Sequence, residues 1–535
     1  MTRFASVTLA GLLCAVVGCG GGASAGGKLS PKDASGMKDR SGREVSKEAV
    51  ASFDAALNSF LEHDKKGDWD EASCKSVADD FEKASEHQED ATGKHLPEAV
   101  YNAGLAFQRC GKDAEARTKF EEAIKADSNF HRARAQITLY DYAKGSDMDD
   151  TIRKLDQIIR DAKFQNVEAL VSLAALQMER GSDQADGDGK NDMERAQRNL
   201  QRALAIDDSY MPAFNQLSVY YLEQAKNQAG AGRQRSRKGK RGMEVSGSKK
   251  ADVNEQQLDL AALVASQAQR KNPNYAPIHN TTGLIQVELK NFNAAVKSFG
   301  KARQLDPKFF EAQMNYAAVN LSFRGFEEAE KAYREALKLR PKEYEAHLGL
   351  ALALRGQIND SNFEKYVAEA QKSLDEAKKL DGSRPETFYN EAILTHEYRS
   401  KRAGNNPVPM LEKAAGQYRD FVNRAGDDPV FAEAVKRSKD RTTDIEDTIK
   451  FIKEGEEAKK ADEAAQKAAK EQAERDAKDK AAADKAAKEQ ADKDAKAAAD
   501  KAAADKAKPA DPKAGAAGAK PADPKAAPAG AAKKK

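Results

Sequence analysis

Beyond Ile452 the chain contains no valine, isoleucine, leucine, methionine, phenylalanine, tyrosine, tryptophan or cysteine. A segment without apolar side chains cannot offset the entropy of ordering a core, so no second globular domain lies there. Upstream, apolar residues are plentiful but never run long. After Val17 no stretch approaches the ~18 consecutive apolar residues of a membrane-spanning helix. Histidine is also scarce, at 7 of 535 residues. His396-Glu397 lacks the second histidine of a zinc helix, and there is no GxSxG and no phosphate-cradling glycine loop. The expectation is therefore a protein that is not an enzyme and needs no cofactor or metal. The net charge of +3 shows no excess that would demand nucleic acid as a partner.

Only four cysteines occur, and two stand in the first 19 residues. Arg3 followed by the apolar stretch from Phe4 to Val17 has the layout of a secretory signal's first two regions, residues 1–18. Val16-Val17-Gly18-Cys19 resembles the lipobox of bacterial lipoproteins, in which the cysteine thiol accepts diacylglycerol. That resemblance implies a mature chain that starts at Cys19 and is anchored to the membrane through lipid. The glycine-rich residues 19–44 then serve as a flexible linker. Gly20 after the cysteine, with no aspartate there, points to the outer membrane, facing the periplasm. In an exported protein the two remaining cysteines, Cys74 and Cys110, are expected to form one disulfide.

Repetition is the strongest signal. Pro273, Pro307 and Pro341 are 34 residues apart, as are Ala268, Ala302 and Ala336, and Ala261, Ala295 and Ala329. Ala265, Phe299 and Tyr333 keep the same register. Between these markers lie helix-period apolar patterns, so each unit is two helices joined by a turn. The pattern resembles the tetratricopeptide repeat (TPR), which implies an all-α solenoid of helical hairpins, each with a helix A and a helix B. Gly104, Phe107, Gly111, Ala116, Phe120 and Ala123 mark another good copy. Residues 131–165 are the poorest, with Asp141 at an expected apolar position. About eight hairpins are expected within a solenoid at 45–457, with insertions near 182–193, 227–252 and 400–409, and a closing helix from Val430 to about Gly455.

In the TPR family the sixth position of helix A often carries an asparagine that binds an extended peptide. The resemblance places Asn102, Asn315 and Asn390 there, with Tyr101 and Tyr389 beside two of them and Arg132 as a neighbouring cation. Gln136 stands where a carboxylate clamp needs a second basic group. The expected partners are envelope proteins held in this groove.

The insertion at 230–250 has eight basic residues against Glu244. With so few apolar groups it is expected to be a loop, and it lacks the aromatic interleaving of a nucleic-acid site. Arg233, Arg235, Arg237, Lys238, Lys240 and Arg241 are candidates for an anionic envelope ligand. In the acidic insertion Asp183–Asp192, Lys190 replaces a ligand that a calcium loop requires. Residues 458–506 read as a charged, alanine-rich solvated helix. In 507–535 AKPADPKA occurs twice and proline forbids helix, so a disordered tail is expected.

As a whole, the layout is similar to that of adventurous gliding motility TPR lipoproteins of myxobacteria, which implies a scaffold in a gliding apparatus. An assembly factor for outer-membrane or secretion complexes, or a regulator of cell-wall enzymes, is built from the same parts.

Overall fold

The computed structural model describes residues 37–38, 43–184, 189–237, 254–404 and 406–505. It begins with a two-residue antiparallel ladder, β1 (Met37–Lys38) on β2 (Glu44–Val45), at the end of the segment expected to be linker. Helices follow without interruption by further strands among the described residues. They pair in sequence: α1 (Lys47–Lys66) with α2 (Glu71–Thr92), α3 (Pro97–Arg109) with α4 (Asp113–Ala126), α5 (His131–Ala143) with α6 (Met148–Asp161). Then come α7 (Val167–Arg180) with α8 (Asp192–Ile206), α9 (Met211–Arg237) with α10 (Glu255–Lys271), and α11 (Ala276–Glu288) with α12 (Phe292–Leu305). The last are α13 (Phe310–Ser322) with α14 (Phe326–Leu339), α15 (Tyr344–Gly356) with α16 (Phe363–Leu380), and α17 (Glu386–Leu394) with α18 (Val408–Ala425), before α19 (Ala432–Asp505). Nine hairpins result among the described residues, one more than the repeat pattern indicates.

Local sequence sets the helix ends. Ser46 caps α1 by accepting from the Ala49 N–H, and Asp70 forms a reciprocal capping box with Ser73 at α2. Gly67 and Gly93 end these helices at φ of 68° and 71°, a conformation that a side chain disfavours.

Packing follows the 34-residue register. Ala261, Ala265 and Ala268 of α10, Ala295, Phe299 and Ala302 of α12, and Ala329, Tyr333 and Ala336 of α14 are all buried. The small residues let each B helix approach its A helix, and the aromatic fills the remaining space. At Gly283 a Cβ would come within 2.4 Å of the Phe299 ring, so α11 and α12 meet at a distance only glycine allows. The proline-marked turns are tied to the next A helix by a side chain three positions beyond its start: His279 Nε2 reaches the Pro273 carbonyl at 2.7 Å, Gln313 Nε2 donates to that of Pro307 at 3.0 Å, and His347 Nε2 reaches that of Pro341 at 2.9 Å. This device recurs at the same 34-residue interval and ties each turn to the helix that follows it.

The irregular copy at 131–165 still forms a hairpin, with Ile152, Leu155 and Ile159 of α6 buried, and Asp141 is paired with Arg117 at 2.8 Å. The insertion near 400–409 is entered through a π-helical turn at Thr395–Arg399 and a 3-10 turn at Ser400–Arg402. In the basic insertion, expected to be loop throughout, the backbone of α9 stays helical to Arg237. The closing helix does not stop near Gly455. It runs on as α19 for 74 residues, about 110 Å at roughly 1.5 Å per residue.

The chain divides into two units after Ile445. The first holds the nine hairpins and the start of α19, where Ile445 is buried and Arg441 donates to the Tyr418 hydroxyl at 2.8 Å. In the second, residues 453–501 are helical and exposed throughout, as a sequence of alanine and mixed charges dictates. No helix among the described residues is long and apolar enough to cross a membrane.

Candidate functional site: the helix-A ladder

Tyr101 of α3 is fully buried, and its hydroxyl donates to Glu168 Oε2 of α7 at 2.6 Å. Arg132 of α5 lies between them, its guanidinium 4.9 Å from the Tyr101 ring centroid and donating to both oxygens of Glu168. Burial works against the Arg132 charge, but the Glu168 carboxylate outweighs it and the guanidinium's pKa is raised. Burial and the same carboxylate also push the Tyr101 phenol up. Helices two repeats apart thus touch, and the inner side of the array is filled here by its own side chains.

The expected groove asparagines are buried as well. Asn102 is 1% exposed, and so is Asn315. Asn315 Nδ2 donates to Asn280 Oδ1 at 3.0 Å, and one repeat earlier Thr281 Oγ1 donates to Asn215 Oδ1 at 2.7 Å. Thr281 and Asn315 share the sixth position of their A helices, so the sixth-position side chain of one repeat bonds the fifth-position side chain of the repeat before it. Asn102 and Asn315, expected at a peptide groove, are thus both buried as folded. Winding of the solenoid brings successive A helices face to face, and the buried Asn280 and Asn215 amides then find partners on the next repeat. Arg132, the cation expected beside Asn102, is engaged by Glu168. Gln136, at the position that a second basic group would take, accepts from Gln108 Nε2 at 3.4 Å.

The far end of the ladder differs. Asn390 of α17, 9% exposed, accepts from Arg355 Nη1 of α15 at 2.7 Å and donates from Nδ2 to the Glu386 carbonyl at 2.8 Å. Tyr389 is half-buried, with its ring 4.9 Å from that of Phe421. A narrow crevice beside them is lined by Leu352, Arg355, Ala370, Leu374, Asn390 and Leu394. Arg355 is not among the sequence candidates, because no spacing rule points to it. The available signal is a single cation in the apolar run ALALRGQ.

Two further charged networks are structural. Arg109 Nε and the Trp69 indole both donate to Asp64 Oδ1, at 2.9 and 2.8 Å. Asp192, in the acidic insertion, is fully buried and accepts from Arg180, Arg195 and the Ser182 N–H. It organises the entry to α8, and no group of metal-ligating side chains occurs among the described residues. Cys74, in the first turn of α2, and Cys110, at the end of α3, are joined by a disulfide with Cα atoms 6.4 Å apart. Cys19, Lys238, Lys240 and Arg241 lie outside the described residues, as do the side chains of Arg233, Arg235 and Arg237.

No family model matches the sequence, and no curated protein does. Among solved structures, the chain is similar to a thermophilic TPR protein of Thermus thermophilus, with 23% identity, a TM-score of 0.33, and coverage of 42% of this chain and 99% of that one. A tetratricopeptide repeat protein from Parabacteroides merdae matches over 60% of this chain and 98% of its own, at 14% identity and a TM-score of 0.33. The third is pilF of Pseudomonas aeruginosa, at 18% identity and a TM-score of 0.32, over 48% of this chain and 96% of that one. The description of the array as a TPR-type solenoid rests on its own 34-residue geometry, given above.

Proposed function

We propose that this protein is a lipid-anchored TPR scaffold of the Gram-negative envelope, held at the outer membrane by Cys19 and facing the periplasm, where it joins other proteins into a gliding-motility apparatus. The observation that carries the reading is the combination, on one chain, of a lipobox-type stretch ending at Cys19 and, among the described residues, a solenoid of nine hairpins. A solenoid offers an extended binding surface, and a lipid at its leading end fixes that surface to a membrane. The Cys74–Cys110 disulfide supports an oxidising compartment. The protein acts by binding, without chemistry of its own.

The anchor is tested directly by Cys19→Ser. Loss of labelled palmitate and release into the soluble periplasm are expected, with the wild-type protein fractionating at outer-membrane density. Unchanged labelling of the variant would contradict the assignment.

A further inference from the structure

Two consecutive A–B turns carry one pattern at the 34-residue interval: Leu289-Lys290-Asn291-Phe292 between α11 and α12, and Phe323-Arg324-Gly325-Phe326 between α13 and α14. The backbone of both turns is the same. The Asn291 N–H reaches the Gln286 carbonyl, and the Gly325 N–H that of Asn320, each at 2.8 Å. Lys290 and Arg324 take the left-handed position, at φ of 59° and 61°. Glycine suits that position: in the α3–α4 turn, which the Lys112 N–H closes on Phe107, it is held by Gly111 at φ of 70°. The chain thus tolerates backbone strain at two turns in order to place a cation there.

The apolar residues beside these cations are not covered. Phe323 is 56% exposed and Leu289 42%. The Phe323 ring lies 4.6 Å from that of Phe292, which links the two turns. Lys290 and Arg324 are exposed, and neither joins an ion pair among the described residues. Glu327 and Glu328 are held by Lys331 at 2.8 and 3.1 Å, which leaves Glu288 against two cations. The basic insertion also connects an A helix, α9, to its B helix, α10, and so opens from this edge, although it lies outside the site.

We infer that this A–B edge docks on a phospholipid bilayer, with Phe323 and Leu289 entering the interfacial layer and Lys290 and Arg324 meeting headgroup phosphates. The apolar area is too small for a stable protein partner. A whole aromatic side chain buries only about 150–250 Å², against roughly 800 Å² per partner in a standard protein interface. A bilayer requires no complementary shape, and aromatic rings flanked by Lys or Arg match its interfacial layer. The inference rests on the scaffold reading only for which membrane is met, the one that holds Cys19. A lipid tether there raises the effective concentration of the edge at the surface, so a weak contact suffices to turn one face of the solenoid toward the membrane.

The test uses the full mature chain without lipid, as Cys19→Ser, and vesicles of phosphatidylethanolamine and phosphatidylglycerol. Phe323→Trp keeps an aromatic ring against Phe292, and its emission is read as the difference from the parent, whose one tryptophan is Trp69. Brominated acyl chains should quench that added emission. They should not quench Leu263→Trp, at a 52% exposed position midway along α10. Leu289→Ser with Phe323→Ser should weaken vesicle partitioning about 10-fold or more, and Lys290→Gln with Arg324→Gln about 5-fold or more at low salt. No quenching in Phe323→Trp, or equal quenching in Leu263→Trp, overturns the inference. Partitioning that both pairs of substitutions leave unchanged also overturns it and assigns lipid binding to the basic insertion. If the pairs weaken crosslinking to a protein while vesicles are ignored, the edge is a protein contact, and the inference falls while the scaffold reading stands. Failure of the anchor is read separately, from palmitate labelling of the wild type, and does not alter this measurement.

Discussion

The Tyr101 hydroxyl reaches Glu168 at 2.6 Å across two repeats, with the Arg132 guanidinium laid between them. Three A helices are bound at one buried point. Glu168→Gln leaves Arg132 buried without its counter-ion, which costs about 3–5 kcal/mol, whereas Tyr101→Phe removes one bond to a charged acceptor and costs about 1.5–3 kcal/mol. Denaturant unfolding followed by a probe in the first four hairpins should show this order. Repeats distant from α7 should respond less, since a solenoid transmits stability through neighbours. Equal, small effects from both variants would mean the node contributes little.

His279 predicts a pH dependence of known sign. Its Nε2 faces the Pro273 carbonyl, and its Nδ1 faces the Gln269 amide nitrogen at 3.4 Å, so the neutral ring supplies one donor and one acceptor. Burial, followed by repulsion from Lys301, holds its pKa below the ordinary 6.5, although the bond to Pro273 opposes this. The unfolded chain therefore takes up the proton first as pH falls. Stability is complete above about pH 6.5 and declines below it. Burial lowers the pKa of His131 and His396 too, and they act in the same sense. His279→Gln should reduce the slope of melting temperature against pH between about 5 and 6.5, because the equivalent Gln313 makes the same bond to Pro307 without titrating. An unchanged slope would remove His279 from the account.

The Cys74–Cys110 bridge closes a separation of 36 residues and joins α2 to α3. Constraining an unfolded loop of that length stabilises the first two hairpins by about 3–4 kcal/mol. Reduction, or the Cys74→Ser and Cys110→Ser pair, should therefore make these hairpins melt first. Two thiols titrating in protein purified without reductant would show that the bridge does not form.

The hairpins are legible in the sequence because their packing is local. Ala295, Phe299 and Ala302 repeat at 34 residues and meet partners within the same or the next hairpin. The filled inner side is not legible. Contact between Tyr101 and Glu168 arises from rotation accumulated over successive hairpins, which no short pattern encodes. Asn102 and Asn315 stand at a special position, but that position alone does not say whether a ligand or a neighbouring repeat takes the amide. Gly455 reads as a stop, yet glycine costs a helix only about 1 kcal/mol against alanine, and the alanine-rich sequence beyond it carries the helix on.

The most direct test of the scaffold account is crosslinked affinity capture from the native envelope, comparing wild type with Cys19→Ser. The account predicts stoichiometric envelope partners that include gliding components, recovered with the wild type and lost with the unanchored variant. Recovery of barrel-assembly components or cell-wall synthases in their place would contradict the gliding assignment, and the absence of any stoichiometric partner would contradict the scaffold itself.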